Sequence, residues 1–153
     1  MMRRIRSIAR DERGASIIEM ALVTPVMATL LIGMVDISRA YSAKLQLEQA
    51  AQRAIEKVMQ YQTGASTYST LYSEAATAAG VAESDVTVDY WLECNGARQT
   101  DYSTSCTPGQ TYARYISVSV DKDFVPMFGT RFFPGANQDG TYTITGEAGL
   151  RTQ

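Results

Sequence analysis

The sequence predicts an α+β fold, in which a long N-terminal helix carries a short second helix and a three-stranded antiparallel sheet. Three patterns predict it: a nearly uncharged apolar run over residues 15–35, helical spacing of apolar residues over residues 37–62, and alternation of apolar with polar residues beyond residue 84. The composition, 45% hydrophobic and 20% charged, is typical of a folded chain. Its 153 residues allow one ordinary domain and an appendage.

The first 14 residues form a basic leader. Five arginines against Asp11 and Glu12 give this segment a net charge of +3, which leaves −5 for residues 15–153. An acidic body argues against nucleic-acid binding, because that needs a basic face to replace phosphate counterions. The chain has no histidine, the commonest general base and metal ligand, and no GxxxxGK, GxSxG or HExxH motif. We therefore expect no enzymatic activity, cofactor or small-molecule substrate.

Residues 15–36 are predicted to form a transmembrane helix. Residues 15–35 read ASIIEMALVTPVMATLLIGMV and carry one charge, Glu19. At 1.5 Å per residue they span roughly 31 Å, close to the hydrocarbon thickness of about 30 Å. A secretory signal peptide would have a shorter apolar run and a cleavage site of small residues. The basic leader predicts a cytoplasmic N-terminus and a periplasmic location for everything after Asp36, in a single-pass inner-membrane protein.

Glu19 is costly in this position. A carboxylate within a membrane span costs about 2.5 to 3.5 kcal/mol on insertion scales. Position alone leaves two interpretations open: the charge lies near the interface, where water reaches it, or it has a function that offsets the cost.

The N-terminal third resembles the TadE-like proteins of Tad (Flp) pilus systems and carries a type IV prepilin-like signature. The residues that match the pattern are Gly14, Glu19, Ala21, Leu22, Val23, Pro25, Gly33, Asp36 and Arg39. One departure is Met20, where an aromatic residue is usual. Beyond this third the resemblance is loose.

The resemblance implies a processing and docking mechanism. A prepilin peptidase would cut between Gly14 and Ala15, and Glu19 would pair with the new amine of Ala15 on a neighbouring subunit. The implied partners are other pilus subunits, minor pilins and the Tad assembly platform. Pro25 is interpreted either as a simple kink or as a functional break in the membrane helix.

Residues 37–62 are predicted to continue as an amphipathic stem. Its apolar stripe comprises Leu47, Ala51, Ala54, Ile55, Val58 and Met59. We expect this stripe to pack on the chain's own domain, with neighbouring subunits as the alternative. Gly64 is suited to cap the stem, and a second helix is expected from about Thr67 to Ala79, ending at Gly80.

Residues 63–153 are predicted to form an exported α+β domain of pilin-like architecture. Alternation predicts strands at residues 86–93, 112–120 and from residue 142 onward, with the Cys94 to Cys106 segment as a loop and residues 138–140 as a turn. An apolar loop over residues 124–134 is expected to cover the core, with a partner patch as the alternative.

The two cysteines, Cys94 and Cys106, are predicted to form a disulfide if the domain is exported, and to remain thiols in a reducing cytosol. Asp121 and Asp123 are the nearest approach to a carboxylate cluster. Calcium binding there is a weaker interpretation than a solvated strand end.

The leading functional hypothesis is therefore structural: a membrane-anchored minor pilin or pseudopilin that takes part in pilus assembly. The alternative is a single-pass anchored periplasmic binding module that never enters a filament.

Overall fold

The computed structural model describes residues 12–61, 68–127 and 135–152. In chain order its elements are α1 (Glu12–Tyr61), α2 (Ser69–Ala79), a 3₁₀ turn (Glu83–Asp85), β1 (Val86–Cys94), β2 (Ala97–Arg98), β3 (Tyr112–Phe124) and β4 (Tyr142–Arg151). The chain divides into two compact units, Met1–Ser38 and Arg39–Gln153. The second unit is called the domain below.

A single helix, α1, contains both the predicted membrane segment and the predicted stem. Its C-terminal part supplies one wall of the domain's core, where Leu47, Ala51, Ala54 and Ile55 are buried, as expected from their spacing. Met59 is exposed, so the prediction was wrong for the last member of the stripe; Ile55, six residues before the end of the helix, is the last residue of α1 that is described as buried. The side chain of Val58 lies outside the described residues.

The second helix forms where the sequence predicts it. α2 ends at Gly80, whose left-handed conformation (φ 66°) lets its N–H bond to the carbonyl of Ala76. Leu71 and Ala75 face the core. Lys57 of α1 and Glu74 of α2 form an ion pair at 2.7 Å that links the two helices. The predicted cap at Gly64 and helix start at Thr67 lie outside the described residues.

The sheet has the strand order β2-β1-β3-β4, and every neighbouring pair is antiparallel. Val86 pairs with Val120 in the β1/β3 ladder, and Val118 pairs with Ala148 in the β3/β4 ladder. Buried residues alternate along β1 and β3, so one sheet face joins the core and the other meets solvent. The turn at residues 138–140 is also present, and Gly140 donates its N–H to the carbonyl of Asn137 at 3.0 Å.

The prediction of three strands was wrong, because the segment interpreted as a loop contains β2. Asn95 and Gly96 both have positive φ, 51° and 77°, and form a two-residue turn between β1 and β2. Asn-Gly is a strong hairpin signal, since both central residues of such a turn need φ above zero. β2 pairs only with Glu93 and Cys94, which is too short a match for alternation to reveal.

The apolar loop was expected to cover the core. Of its members after Phe124, Val125 and Met127 are exposed, so that expectation was wrong for them. Phe128, Phe132, Phe133 and Pro134 lie outside the described residues.

Gly146 brings β4 into direct backbone contact with α1. A Cβ atom built on Gly146 would overlap the backbone carbon and the Cβ of Leu47, as well as the backbone nitrogen of Glu48. Backbone atoms of a helix cannot rotate away as a side chain can. Glycine is therefore required here for close packing of the strand against the helix. The sequence placed Gly146 in the third predicted strand but gave no signal for this contact.

We predict that Gly146→Ala destabilises the domain by about 1 to 3 kcal/mol, the usual cost of overpacking a core. Urea unfolding of the full chain in detergent, followed by Trp91 fluorescence, measures the change. Gly149→Ala is the matched control on the same strand, since a Cβ there meets only ordinary contacts. The control is expected to be neutral or slightly stabilising. Equal stability of the two variants would contradict this assignment.

Candidate functional site

The N-terminal part of α1 presents apolar side chains to its surroundings instead of packing them. From Ser16 to Val35 every side chain is exposed except at Gly33, which is intermediate. A continuous apolar surface of this extent is not tolerated by a monomer in water. Within the described residues, this helix is long and apolar enough to cross a membrane. The segment therefore indicates a membrane anchor, as the sequence predicted.

Pro25 lies inside α1 without ending it. It has no N–H to give to the carbonyl of Ala21, so one helical hydrogen bond is lost. Two hydroxyls bond to carbonyls nearby: Thr24 donates to Met20 at 2.7 Å, and Thr29 donates to Pro25 at 2.8 Å. Threonine hydroxyls that bond back to the preceding turn help a membrane helix tolerate proline and often bend it.

Glu19 is exposed on α1 and forms no hydrogen bond or ion pair with any side chain that the structure describes. Gly14 and Ala15 lie in the first turns of the helix, and their side-chain positions lie outside the described residues. Glu19 follows Ala15 by four residues, one helical turn or about 6 Å along the axis. The predicted cleavage and docking residues therefore share one end of the helix.

Three further residues of the pattern, Gly33, Asp36 and Arg39, lie far from Glu19 along α1. Asp36 is 17 residues further on, about 26 Å along the helix axis. Gly33 has open space around the position of a Cβ, Asp36 is buried, and Arg39 is exposed. The guanidinium of Arg39 lies 5.5 Å from the ring centre of Phe124, the last residue of β3. This contact could not be anticipated from the sequence, which shows no signal linking residues 39 and 124.

The structure brings Cys94 and Cys106 together in a disulfide, with their Cα atoms 5.6 Å apart. The prediction of this bond is confirmed. It closes a loop that contains Tyr102, whose hydroxyl lies 2.9 Å from that of Tyr68. Tyr90 packs against both rings at 5.2 to 5.3 Å. The disulfide thus holds a loop against an aromatic cluster at the edge of the core.

Burial raises the pKa of Tyr68 to about 12, and the hydrogen bond with Tyr102 adds to the effect. Tyr68 is therefore neutral at physiological pH. Its hydroxyl is engaged with that of Tyr102 in the folded domain, which points to a packing role for this pair.

The outer face of the sheet carries a second aromatic stack. Trp91 and Tyr115 stack at 5.3 Å, and the guanidinium of Arg98 lies 4.7 Å from the centre of the Trp91 ring. Arg98 also makes two hydrogen bonds to Asp89, at 2.8 and 2.9 Å. These contacts hold β2 against β1. Because the charges of Arg98 and Asp89 are paired with each other, we infer a structural role for them.

The carboxylates of Asp121 and Asp123, which were considered as calcium ligands, accept hydrogen bonds from threonines on the neighbouring strand. Thr145 donates to Asp121 at 2.6 Å, and Thr143 donates to Asp123 at 2.9 Å. Among the described residues, no group of three or more potential ligands lies close enough to hold a metal ion.

Comparison with known proteins links part of the chain to a family. Residues 14–55 match the family model described as TadE-like protein, which confirms the resemblance for this segment. The match ends before α2 and does not include the sheet. No curated protein and no solved structure matches the chain.

Proposed function

Starting from the TadE-like segment at residues 14–55, we propose that this protein is a membrane-anchored minor pilin or pseudopilin of a Tad-type pilus system. Its role is structural and not enzymatic. The basic leader stays in the cytoplasm, the N-terminal part of α1 crosses the inner membrane, and the domain lies in the periplasm.

The observation that carries the proposal is Glu19 in the apolar segment. This carboxylate has no partner among the side chains that the structure describes, although its surroundings are otherwise apolar. An ordinary membrane anchor needs no acid there, and such a charge is costly unless something pairs with it. A cation supplied by a neighbouring chain would relieve the desolvation of both groups.

The cation that we propose is the free amine of Ala15 on the neighbouring subunit. Cleavage after Gly14 by a prepilin peptidase would create this amine in place of an uncharged peptide group. Because Ala15 lies one helical turn before Glu19, two helices that pack side by side with a stagger of about one turn bring the two charges together. The proposed docking thus depends on processing.

The exposed apolar side chains of α1 provide the remaining contact surface for such packing. Helices associate in membranes through close van der Waals contact, and Ala21, Ala28 and Gly33 supply small side chains for it. The proposed partners are other pilus subunits and the Tad assembly platform.

We predict that a prepilin peptidase removes residues 1–14, so that the mature chain begins at Ala15. Intact-mass measurement of the protein from membranes of cells with an active peptidase tests this. The same measurement from peptidase-deficient cells is the control and should show a start at Met1. A Met1 start in both strains would contradict the proposal.

We predict that Glu19→Gln impairs assembly while leaving the anchored protein intact. The amide keeps the shape of the side chain but loses its charge, so membrane insertion should be at least as good. Loss of the charge pair should reduce co-purification with pilus components by at least about tenfold. Quantitative immunoblots after mild solubilisation measure both quantities.

Glu56→Gln is the matched control for this experiment, since Glu56 is an exposed acid on the same helix outside the apolar segment. It should leave co-purification unchanged. If Glu19→Gln also leaves co-purification and piliation unchanged, the docking role is wrong, and the anchored binding module becomes the better account.

A further inference from the structure

The two edges of the sheet differ in how they are covered. The outer side of β1 is covered by β2 and then by single hydrogen bonds: the N–H of Gln99 donates to the carbonyl of Leu92 at 2.8 Å, and the hydroxyl of Tyr72 donates to the carbonyl of Val88 at 3.4 Å. At the other edge, β4 pairs with β3 along its ten residues, and no strand that the structure describes lies on its other side. β4 therefore forms an open edge.

The register shows which backbone groups of β4 point away from the sheet. Cys94 and Ala97 flank a two-residue turn and so form a hydrogen-bonded pair, which directs the even-numbered residues of β1 toward β2. The odd-numbered residues of β1 therefore bond to odd-numbered partners in β3, as in the pair of Asp89 and Ser117. The even-numbered residues of β3 are left to bond to β4.

The β3/β4 ladder agrees with this alternation. The carbonyl of Arg114 accepts the N–H of Thr152, just beyond the end of β4, at 2.8 Å. Since even-numbered residues of β4 pair with even-numbered residues of β3, the N–H and C=O groups of the odd-numbered residues point outward. Near the centre of the strand these residues are Thr145, Glu147 and Gly149. Their outward backbone groups form no hydrogen bond with any residue that the structure describes.

An open edge of this kind pairs readily with another extended chain. Two features that usually prevent such pairing are missing from β4. Its sequence contains no proline or lysine, and its register with β3 runs from Tyr142 to Arg151 without a bulge. The edge is therefore able to accept a further strand.

The apolar face of β4 is only partly covered. Ile144, Ala148 and Leu150 pack against the buried core, and each of them remains partly exposed. They are even-numbered and share one face of the sheet, because side chains alternate along a strand. A neighbouring strand with an apolar residue at every second position would cover them further. This face therefore fits an amphipathic partner.

The opposite face of β4 is acidic. Glu147 is exposed, and Asp121 and Asp123 lie on the same face of the adjoining strand β3. Lys122 lies between these two aspartates in the sequence and therefore on the other face. A strand added to β4 would place polar side chains beside Glu147, where a basic residue is favoured and an acidic one is disfavoured. The charge of this face therefore indicates a basic partner.

We propose that β4 binds an extended basic segment of another protein as the fifth strand of the sheet. The segment alternates apolar residues, which cover Ile144 and Leu150, with polar residues that include lysine or arginine beside Glu147. Backbone hydrogen bonds to Thr145, Glu147 and Gly149 hold it in place. The proposal concerns the domain alone and depends neither on leader cleavage nor on docking within the membrane.

Amide hydrogen exchange of the ¹⁵N-labelled full chain in a non-ionic detergent tests the proposal residue by residue. The probe is the synthetic peptide KVTVKVTVK, which has valine at every second position. It reads the same in both directions, so no strand direction is assumed. The control peptide, EVTVEVTVE, has the same valine pattern and the opposite charge.

In the free chain, we expect the amides of Thr145 and Glu147 to exchange at least about tenfold faster than those of Ile144 and Ala148, which bond to β3. Saturating KVTVKVTVK should slow the two outward amides by at least about tenfold. The same concentration of EVTVEVTVE should leave them unchanged. Equal protection by both peptides, or protection by neither, would overturn the proposal.

The free chain also tests two other occupants of the edge. Protection of the outward amides at every protein concentration would show that the chain covers its own edge. Protection that grows with protein concentration in the absence of peptide would identify a second copy as the occupant. Either result would overturn the proposal.

Gly149→Pro blocks the edge without removing a bond to β3, because the N–H at this position points outward. It should weaken the binding of KVTVKVTVK by at least about tenfold. Gly149→Ala keeps the N–H and is the matched control, which should bind the peptide as the unaltered chain does. The amides of Ile144 and Ala148 report whether β4 stays paired with β3 in both variants.

Glu147→Lys is a second variant that changes only an exposed side chain, so it keeps the test decisive if proline disturbs the strand. It should weaken the binding of KVTVKVTVK by roughly fivefold and strengthen that of EVTVEVTVE. Unchanged affinity for KVTVKVTVK in Gly149→Pro and Glu147→Lys would overturn the assignment of β4 as the binding edge.

Discussion

The packing of α1 against the sheet is the interaction on which the rest of the domain depends. Ala51 and Ala54 add little side-chain bulk to the buried face of the helix beside Leu47, and Gly146 lets β4 approach the helix backbone directly. The other core residues of β1, β3 and α2 close over this face. The same helix continues without a break into the apolar segment.

The character of α1 changes along its length. Residues 16–35 have apolar side chains on all sides, which suits lipid, whereas the later turns have one apolar stripe and polar residues elsewhere. Two exceptions stand out against this pattern. Glu19 introduces a charge into the apolar part, and Val125 and Met127 add apolar side chains outside it.

Much of this organisation could be predicted from the sequence because its signals are periodic. Helical spacing predicted α1 and the burial of Leu47 and Ala51, alternation predicted β1, β3 and β4, and Gly80 marked the end of α2. The short strand β2 was missed because two paired residues show no periodicity, although Asn95 and Gly96 carried a turn signal. The contacts of Gly146 with α1 and of Arg39 with Phe124 join residues distant in sequence, and neither pattern nor composition encodes such pairs.

The central proposal is that one helix anchors the domain on the oxidising side of the membrane, where the Cys94–Cys106 disulfide would be stable. Labelling of intact spheroplasts with a membrane-impermeant maleimide tests it most directly. The account predicts no labelling until an impermeant reductant is added outside, and then labelling of both cysteines. Two thiols that react without reductant, and only after the membrane is permeabilised, would contradict it.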